Sequence, residues 1–135
     1  MRLNLVVVAA GIVRRDQLIL LTRRKPDVHL PDLWEFPGGK VEAEESLQSA
    51  LQRELKEELG IEVEVLDLAF TTTHRYTEKL IELHFFNCRL VQGQPRAIEV
   101  AEFRWVHPGE LHAYAFPEAD RELVEQLARP YPSSR

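Results

Sequence analysis

The sequence predicts an α/β fold, a mixed β-sheet with a helix on each side. Three observations carry this expectation. Leu47, Leu51, Leu55 and Leu59 recur every four residues and Gly60 follows, the pattern of one amphipathic helix with a glycine stop. Valine-rich or period-two segments stand before and after that helix and read as strands. A second helical stripe, Leu123, Val124, Leu127 and Ala128, comes only near the end. Two helices so far apart in sequence, with strands between them, are expected on opposite faces of one sheet.

The elements follow in order. Leu3 to Val13 is rich in valine and is expected as a buried strand. Arg15-Asp16-Gln17 reads as a turn, and Leu18 to Thr22 as a strand paired back on the first. Lys25 to Asp32 holds Pro26 and Pro31 and reads as a loop. Leu33 to Phe36 is a short extended piece that runs into Pro37-Gly38-Gly39, expected as a tight turn. The central helix is expected over Glu44 to Leu59. Ile61 to Phe70, Lys79 to Val91 and Glu102 to Val106 read as strands, with Ile81, Leu83 and Phe85 sharing one face. Pro108 to Leu111 fits a short helical turn, and Glu118 to Ala128 a helix closed by Pro130, with a frayed tail from there to Arg135.

Composition bounds the function. The chain has 135 residues, 44% apolar and 29% charged, which fits one domain over 1–135 with a real hydrophobic core. A net charge of −5 argues against a nucleic-acid polymer as partner. A phosphate substrate is compatible with it only if a metal intervenes. Cys88 is the sole cysteine, so neither an intrachain disulfide nor a cysteine-rich zinc site can form. The longest apolar run, Leu5 to Val13, is far too short for a bilayer, so no membrane partner is expected. It ends in Arg14-Arg15-Asp16, which is no cleavage site, and a cytoplasmic protein is expected.

The central helix carries the chemistry. On a wheel at about 100° per residue with Glu54 at zero, Glu58 falls near 40° and Glu57 near −60°. The leucines fall between about 20° and 140°, while Gln52, Lys56 and Ser49 take the far side. The three glutamates therefore border the leucine stripe instead of joining the solvated face. Carboxylates about 6 Å apart repel by under 1 kcal/mol in bulk water, but by roughly 3 kcal/mol at an effective dielectric near 20. Acidic side chains also sit poorly towards the negative end of a helix dipole. Such a cluster calls for a cation. Hard oxygen ligands at i, i+3 and i+4 suit Mg2+ or Mn2+, and zinc fits less well because no His or Cys joins them. Arg53, four residues before Glu57, can neutralise and orient one carboxylate.

Gly39, five residues, Glu45, seven residues and then Arg53-Glu54-Leu55-Lys56-Glu57-Glu58-Leu59-Gly60-Ile61 resembles the Nudix box with every defined position filled at its spacing. Thr22-Arg23-Arg24, His29, Leu33-Trp34-Glu35-Phe36-Pro37-Gly38-Gly39-Lys40 and the late run Phe116-Pro117-Glu118-Ala119-Asp120 look like the MutT-like subgroup. The resemblance extends from about Leu3 to Ala128. It implies an α/β/α sandwich with a mixed sheet, and hydrolysis of a nucleoside triphosphate to the monophosphate and pyrophosphate. Glu54, Glu57, Glu58 and the backbone carbonyl of Gly38 would then hold Mg2+, or Mn2+ in its place. Gly38 and Gly39 would let a phosphate come close. Glu45 would support the loop and helix through Arg53.

A general base is expected on a loop facing the helix. The resemblance implies Glu99, six residues before Trp105, where MutT-like sequences usually place a glutamate, as the first candidate, and Glu102 is the second. Glu54 or Glu57 could also serve. Arg24, with Arg23 as alternate, would contact the nucleotide, Lys40 the phosphates, and His29 would close over the base. Phe36 and Phe116 would stack on the base or pack in the core. Asp120 keeps two substrates open: it can accept from the exocyclic amine of cytosine or from N–H groups of 8-oxoguanine, and can donate only if burial keeps it protonated. The first reading is an 8-oxo-dGTP diphosphatase of the nucleotide pool, so serving DNA replication and repair. The alternatives are a (d)CTP or 5-methyl-(d)CTP pyrophosphohydrolase, and a non-catalytic nucleotide-binding module. Tyr76, sixteen residues past Gly60, is a weak match to dinucleoside polyphosphate hydrolases. The protein is expected to be a monomer or a homodimer.

Overall fold

A computed structural model of the chain describes residues 4–129. Seven strands form one mixed sheet: β1 (Asn4–Arg15), β2 (Leu18–Arg23), β3 (Trp34–Glu35), β4 (Gly38–Lys40), β5 (Glu62–Arg75), β6 (Lys79–Gln92) and β7 (Glu102–Val106). Two helices accompany them, α1 (Leu47–Leu59) and α2 (Arg121–Ala128), with 3₁₀ turns over Pro108–Ala113 and Glu118–Asp120. Strand β1 is the hub. It runs parallel to β6 from Asn4↔Lys79 to Arg14↔Arg89, and antiparallel to β4 and to the start of β2. β5 closes one edge against β6, and β7 and β3 pair with β2.

The near-continuous apolar run of β1 has its cause in coverage of both faces. On one face Ala9 and Val13 meet Leu51, Leu55 and Leu59 of α1, all fully buried. On the other, Ala10 and Ile12 join Leu123 and Val124 of α2. Each such leucine contributes roughly 1.5–3 kcal/mol by leaving water. The expected layered mixed sheet with a helix on each side is the one observed.

Element ends differ in informative ways. Helix α1 starts at Leu47, the first leucine of the stripe and three residues later than the expected start at Glu44. Ser46 is the N-cap, its hydroxyl accepting the Ser49 N–H at 3.0 Å, while Glu44 sits at φ 68°, outside any helix. Gly60 ends α1 at φ 70°, its N–H donating to Lys56 O. Strand β5 runs five residues beyond Phe70, because pairing with β6 continues to Arg75↔Leu80. The expected helix over Glu118 to Ala128 begins as a 3₁₀ turn, and only Arg121–Ala128 is α-helical. Leu3, the Pro130 stop and the tail to Arg135 lie outside the described residues.

One expectation is overturned. Gly38-Gly39 do not form a tight turn. They belong to β4, paired Ala10↔Gly38 and Ala9↔Gly39, with no positive φ. Glycine is required there by proximity: a Cβ on Gly38 would collide with the backbone oxygen of Ala9. Gly38→Ala is therefore expected to destabilise the fold by about 3 kcal/mol or more. That corresponds to a fall of roughly 10 °C in the thermal midpoint. A melting curve that superimposes on wild type would show that β4 can retreat from β1 without loss.

Candidate active site

The acidic edge of α1 faces β4. Arg53 organises it. Its Nε and one terminal nitrogen form a fork on Glu45, at 2.7 and 2.9 Å, and the same nitrogen donates to Lys40 O at 3.1 Å. The other terminal nitrogen reaches Glu54 at 3.0 Å and Glu57 at 3.2 Å. This guanidinium holds the Glu45 carboxyl down at about 2. Arg53 thus serves three carboxylates and a backbone carbonyl, where the spacing suggested one partner. The carboxyl of Glu54 occupies the place where a Gly39 Cβ would stand, so Gly39 is a cradle for it. Glu57 is more exposed than the wheel implied, 49% against 16% for Glu54.

Glu58 is half-buried, and its carboxyl turns inward. Its carboxyl is pushed up to about 9, first by burial and then by Glu35, Glu54 and Glu99. One of its oxygens is buried with no hydrogen-bond partner. A buried, unpartnered carboxylate oxygen beside a second carboxylate and a glycine cradle is what a hard divalent cation needs. Among the described residues no three carboxylate, imidazole or thiol side chains converge as a ready-made cage. Instead, Arg53 holds Glu54 and Glu57. Gly38 lies on β4 alongside this edge.

Behind β4 lies a cavity of about 250 Å3. Its floor is the pleat: Val6, Val8 and Ala10 of β1 stand in register with Ile81, Leu83 and Phe85 of β6, on the face away from α1. Around that apolar floor stand Arg24, His29, Glu35, Phe36, Gly38, Gly39, Lys40, Tyr76, Lys79 and Asp120. Arg24 is ion-paired with Glu35 at 2.8 Å and donates to His29 O at 2.7 Å, which ties the loop after β2 to the cavity wall. The His29 ring meets Tyr76 edge-on, with centroids 5.4 Å apart.

Asp120 is buried, and no side-chain hydrogen bond to a helix N–H accounts for it, which sets aside a plain helix-cap role. Burial first, then Glu35, pushes its carboxyl up to about 7, and Arg24 opposes this. Glu35 is raised as well, by burial. Glu35 therefore links two acidic groups: it acts on Glu58 at the helix edge and on Asp120 in the cavity.

Several expected site residues stand elsewhere. Arg23, the alternate to Arg24, does not line the cavity. Successive strand residues point to opposite faces, and Arg23 pairs with Glu102 and Asp32, both at 2.9 Å. Glu102, the second candidate base, is held there by Arg23 and by Arg104. Phe116 does not line the cavity either. It stacks on Phe36, centroids 5.4 Å apart, and Phe36 is buried in the core that α2 covers. Glu99 is exposed on the loop before β7, near enough for its charge to act on Glu58. Glu35 and Lys79 were missed as site residues. An acid set between Trp34 and Phe36 in an apolar segment was the signal for Glu35. Nothing local marks Lys79.

The NUDIX domain family matches residues 8–126. The chain belongs to the Nudix family. Hydrolases of this family generally use a divalent metal, in keeping with the orphaned Glu58 oxygen. This Nudix chain is 37% identical over 123 residues to the CTP pyrophosphohydrolase of Escherichia coli K12, covering 91% of each chain. It is 37% identical over 125 residues to the 8-oxo-dGTP diphosphatase of Haemophilus influenzae, covering 92% of each. Its fold is similar to the solution structure of the E. coli ORF135 protein, with a TM-score of 0.79, 36% identity and 95% of each chain covered. The crystal structure of the MutT protein from Methanosarcina mazei superimposes with a TM-score of 0.84 at 26% identity, over 94% of this chain and 95% of that one. No helix among the described residues is long and apolar enough to cross a membrane.

Proposed function

We propose that this Nudix hydrolase is a Mg2+-dependent nucleoside triphosphate pyrophosphohydrolase that cleans 8-oxo-dGTP from the nucleotide pool as a single domain. The observation that carries the reading is the acid pair of half-buried Glu35 and buried Asp120 beside Arg24, in a cavity whose β4 wall includes Gly39, the residue that also borders Glu54. Relatives named 8-oxo-dGTP diphosphatase and CTP pyrophosphohydrolase support the substrate class.

Glu54, Glu57, Glu58 and the Gly38 carbonyl would hold the cation, with Mn2+ as a substitute. A divalent cation held there supplies neutralisation of the polyphosphate charge and makes water more acidic. Lys40 and Lys79 add positive charge around the cavity for the triphosphate, and the apolar floor takes the base. Glu99 accepts the proton of the attacking water, and Arg53 keeps Glu54 and Glu57 in place until substrate arrives. A nucleotide pool is cytoplasmic, so that is the proposed compartment, and a small nucleotide is the proposed partner.

The base is read by charge and proton placement. Oxidation of guanine converts the N7 acceptor into an N–H donor. A carboxylate accepts from that donor, and guanine itself offers it nothing there. With Asp120 near neutrality in its titration, the pair presents acceptors together with one O–H donor, enough for an N–H edge and a carbonyl. A second reading keeps its own support: with both acids ionised they suit the exocyclic amine of cytosine, so (d)CTP is the alternative substrate.

Steady-state rates on 8-oxo-dGTP, dGTP, CTP, dCTP and 5-methyl-dCTP decide between them. The proposal expects kcat/KM for 8-oxo-dGTP to exceed that for dGTP by at least about a hundredfold, the size a mismatched buried polar edge produces. Faster turnover of a cytosine nucleotide would install the second reading, and no turnover of any would leave a binding module. Asp120→Asn is expected to move preference towards 8-oxoguanine over cytosine by about tenfold, one lost or gained hydrogen bond. An unchanged ratio would remove Asp120 from base reading.

A further inference from the structure

The connection between β6 and β7 is bound to the end of α1 at several points. A helix leaves its last carbonyls without intrahelical donors. Here the connection supplies them: the Arg96 N–H donates to Leu59 O at 2.9 Å, and the Ile98 and Glu99 N–H groups both donate to Glu58 O at 3.1 Å. The approach is close. Gly93 sits at φ 100°, and a Cβ there would stand 2.8 Å from Gly60 O and 3.3 Å from the Ile61 Cα. The Arg96 guanidinium and the Ile98 side chain lie over Gly60, 3.0 and 3.2 Å from where its own Cβ would be. Val100 is buried in the core under α1, and the Ala101 N–H donates to Arg23 O on β2 at 2.9 Å.

We propose that the segment from Gly93 to Val100 is a backbone latch, with Gly93 and Arg96 as positioning residues that hold Glu99 at a fixed offset from the Glu54–Glu58 edge. This rests on the reading of Glu99 as general base. The physical case is one of tolerance. A base displaced by about 1 Å can lose a hundredfold in rate. A long side chain on a free loop would not hold that tolerance. Glu99 instead hangs by its own N–H from the backbone of Glu58, so base and cation ligand share one rigid support.

A double-mutant cycle tests this. Gly93→Ala puts a methyl group against Gly60 O and is expected to lower kcat about tenfold with KM within twofold. Amide exchange at Ile98 and Glu99 should quicken while Leu51 and Leu55 stay protected. Arg96→Ala should act in the same direction with a smaller effect, and Arg96→Lys should recover part of it. In a Glu99→Gln background Gly93→Ala should change kcat by less than about twofold, because neighbours that act as a unit are non-additive. An equal loss in both backgrounds, or a rise in KM at constant kcat, would overturn the latch while leaving the base reading standing. Wild-type kcat in Glu99→Gln alone would overturn the base reading and the positioning role with it. If Gly93→Ala does not fold, Arg96→Ala carries the same cycle.

Discussion

Glu58→Gln is expected to lower kcat by at least about a hundredfold, the loss seen when one charge-stabilising group is removed from a preorganised site. The same change is expected to make the metal-free protein more stable at alkaline pH. Glutamine has nearly the shape of glutamate, so packing at the end of α1 survives. What disappears is an acid whose folded pKa, about 9, lies well above its unfolded value. Between those two values the folded chain holds a proton that the unfolded chain has released. Stability from this group is therefore present at low pH and is lost as pH rises towards 9. The Tm of metal-free wild type should fall more steeply between pH 5.5 and 8.5 than that of the variant. Asp120 contributes a slope of the same sign up to about pH 7, but it does so in both proteins and cancels. Adding Mg2+ should raise the wild-type Tm and should raise that of the variant less, because one of the proposed ligands is lost. Parallel pH slopes, or a wild-type rate in the variant, would take Glu58 out of the cation site.

Much of this was legible in the chain, and the residues that were not share a cause. The leucine stripe from Leu47 to Leu59 fixed the buried face of α1, and with it the edge on which Glu54 and Glu58 stand. Local rules suffice there because a helix places its residues by its own geometry. Gly38 and Gly39 were misread because glycine serves both turns and close approaches, and only the partner strand β1 distinguishes them. Arg24 was placed ahead of Arg23 by resemblance alone, since Ile19 to Thr22 are buried on both faces of β2 and the alternation that would set the phase is absent. Phe116 found a ring, Phe36, contributed from eighty residues away. Glu35 is the plainest case: burial raises its carboxyl, Arg24 opposes this, and Glu35 in turn acts on Glu58 and Asp120, groups brought near it by different elements. Electrostatic roles assembled across the fold leave little trace in a local pattern.

Arg53→Lys separates charge from shape at the edge of α1, and is expected to lower kcat about tenfold or more, with Arg53→Ala losing about a hundredfold. A lysine keeps the positive charge but has one nitrogen. It cannot form the fork on Glu45 while also reaching Glu54, Glu57 and the Lys40 carbonyl. Glu45 lies before α1 and its carboxylate also accepts the Glu42 N–H, so the fork pins the connection from β4 into the helix. Loosening that connection lets Gly39 and Glu54 drift apart, and the cation ligands lose their register with β4. The expected effect on metal affinity has the opposite sign to the effect on rate. Arg53 is a positive charge within 3.2 Å of two proposed ligands, so removing it lowers the electrostatic cost of placing a divalent cation there. Half-saturating Mg2+ should not rise in Arg53→Ala, even as turnover collapses. Solvent screens a side chain that is about a quarter exposed, so the change in affinity should be modest and weaken with salt. A variant that turned over normally as lysine would reduce Arg53 to a counter-charge. One that failed only through weaker metal binding would mean that the fork serves affinity instead of alignment.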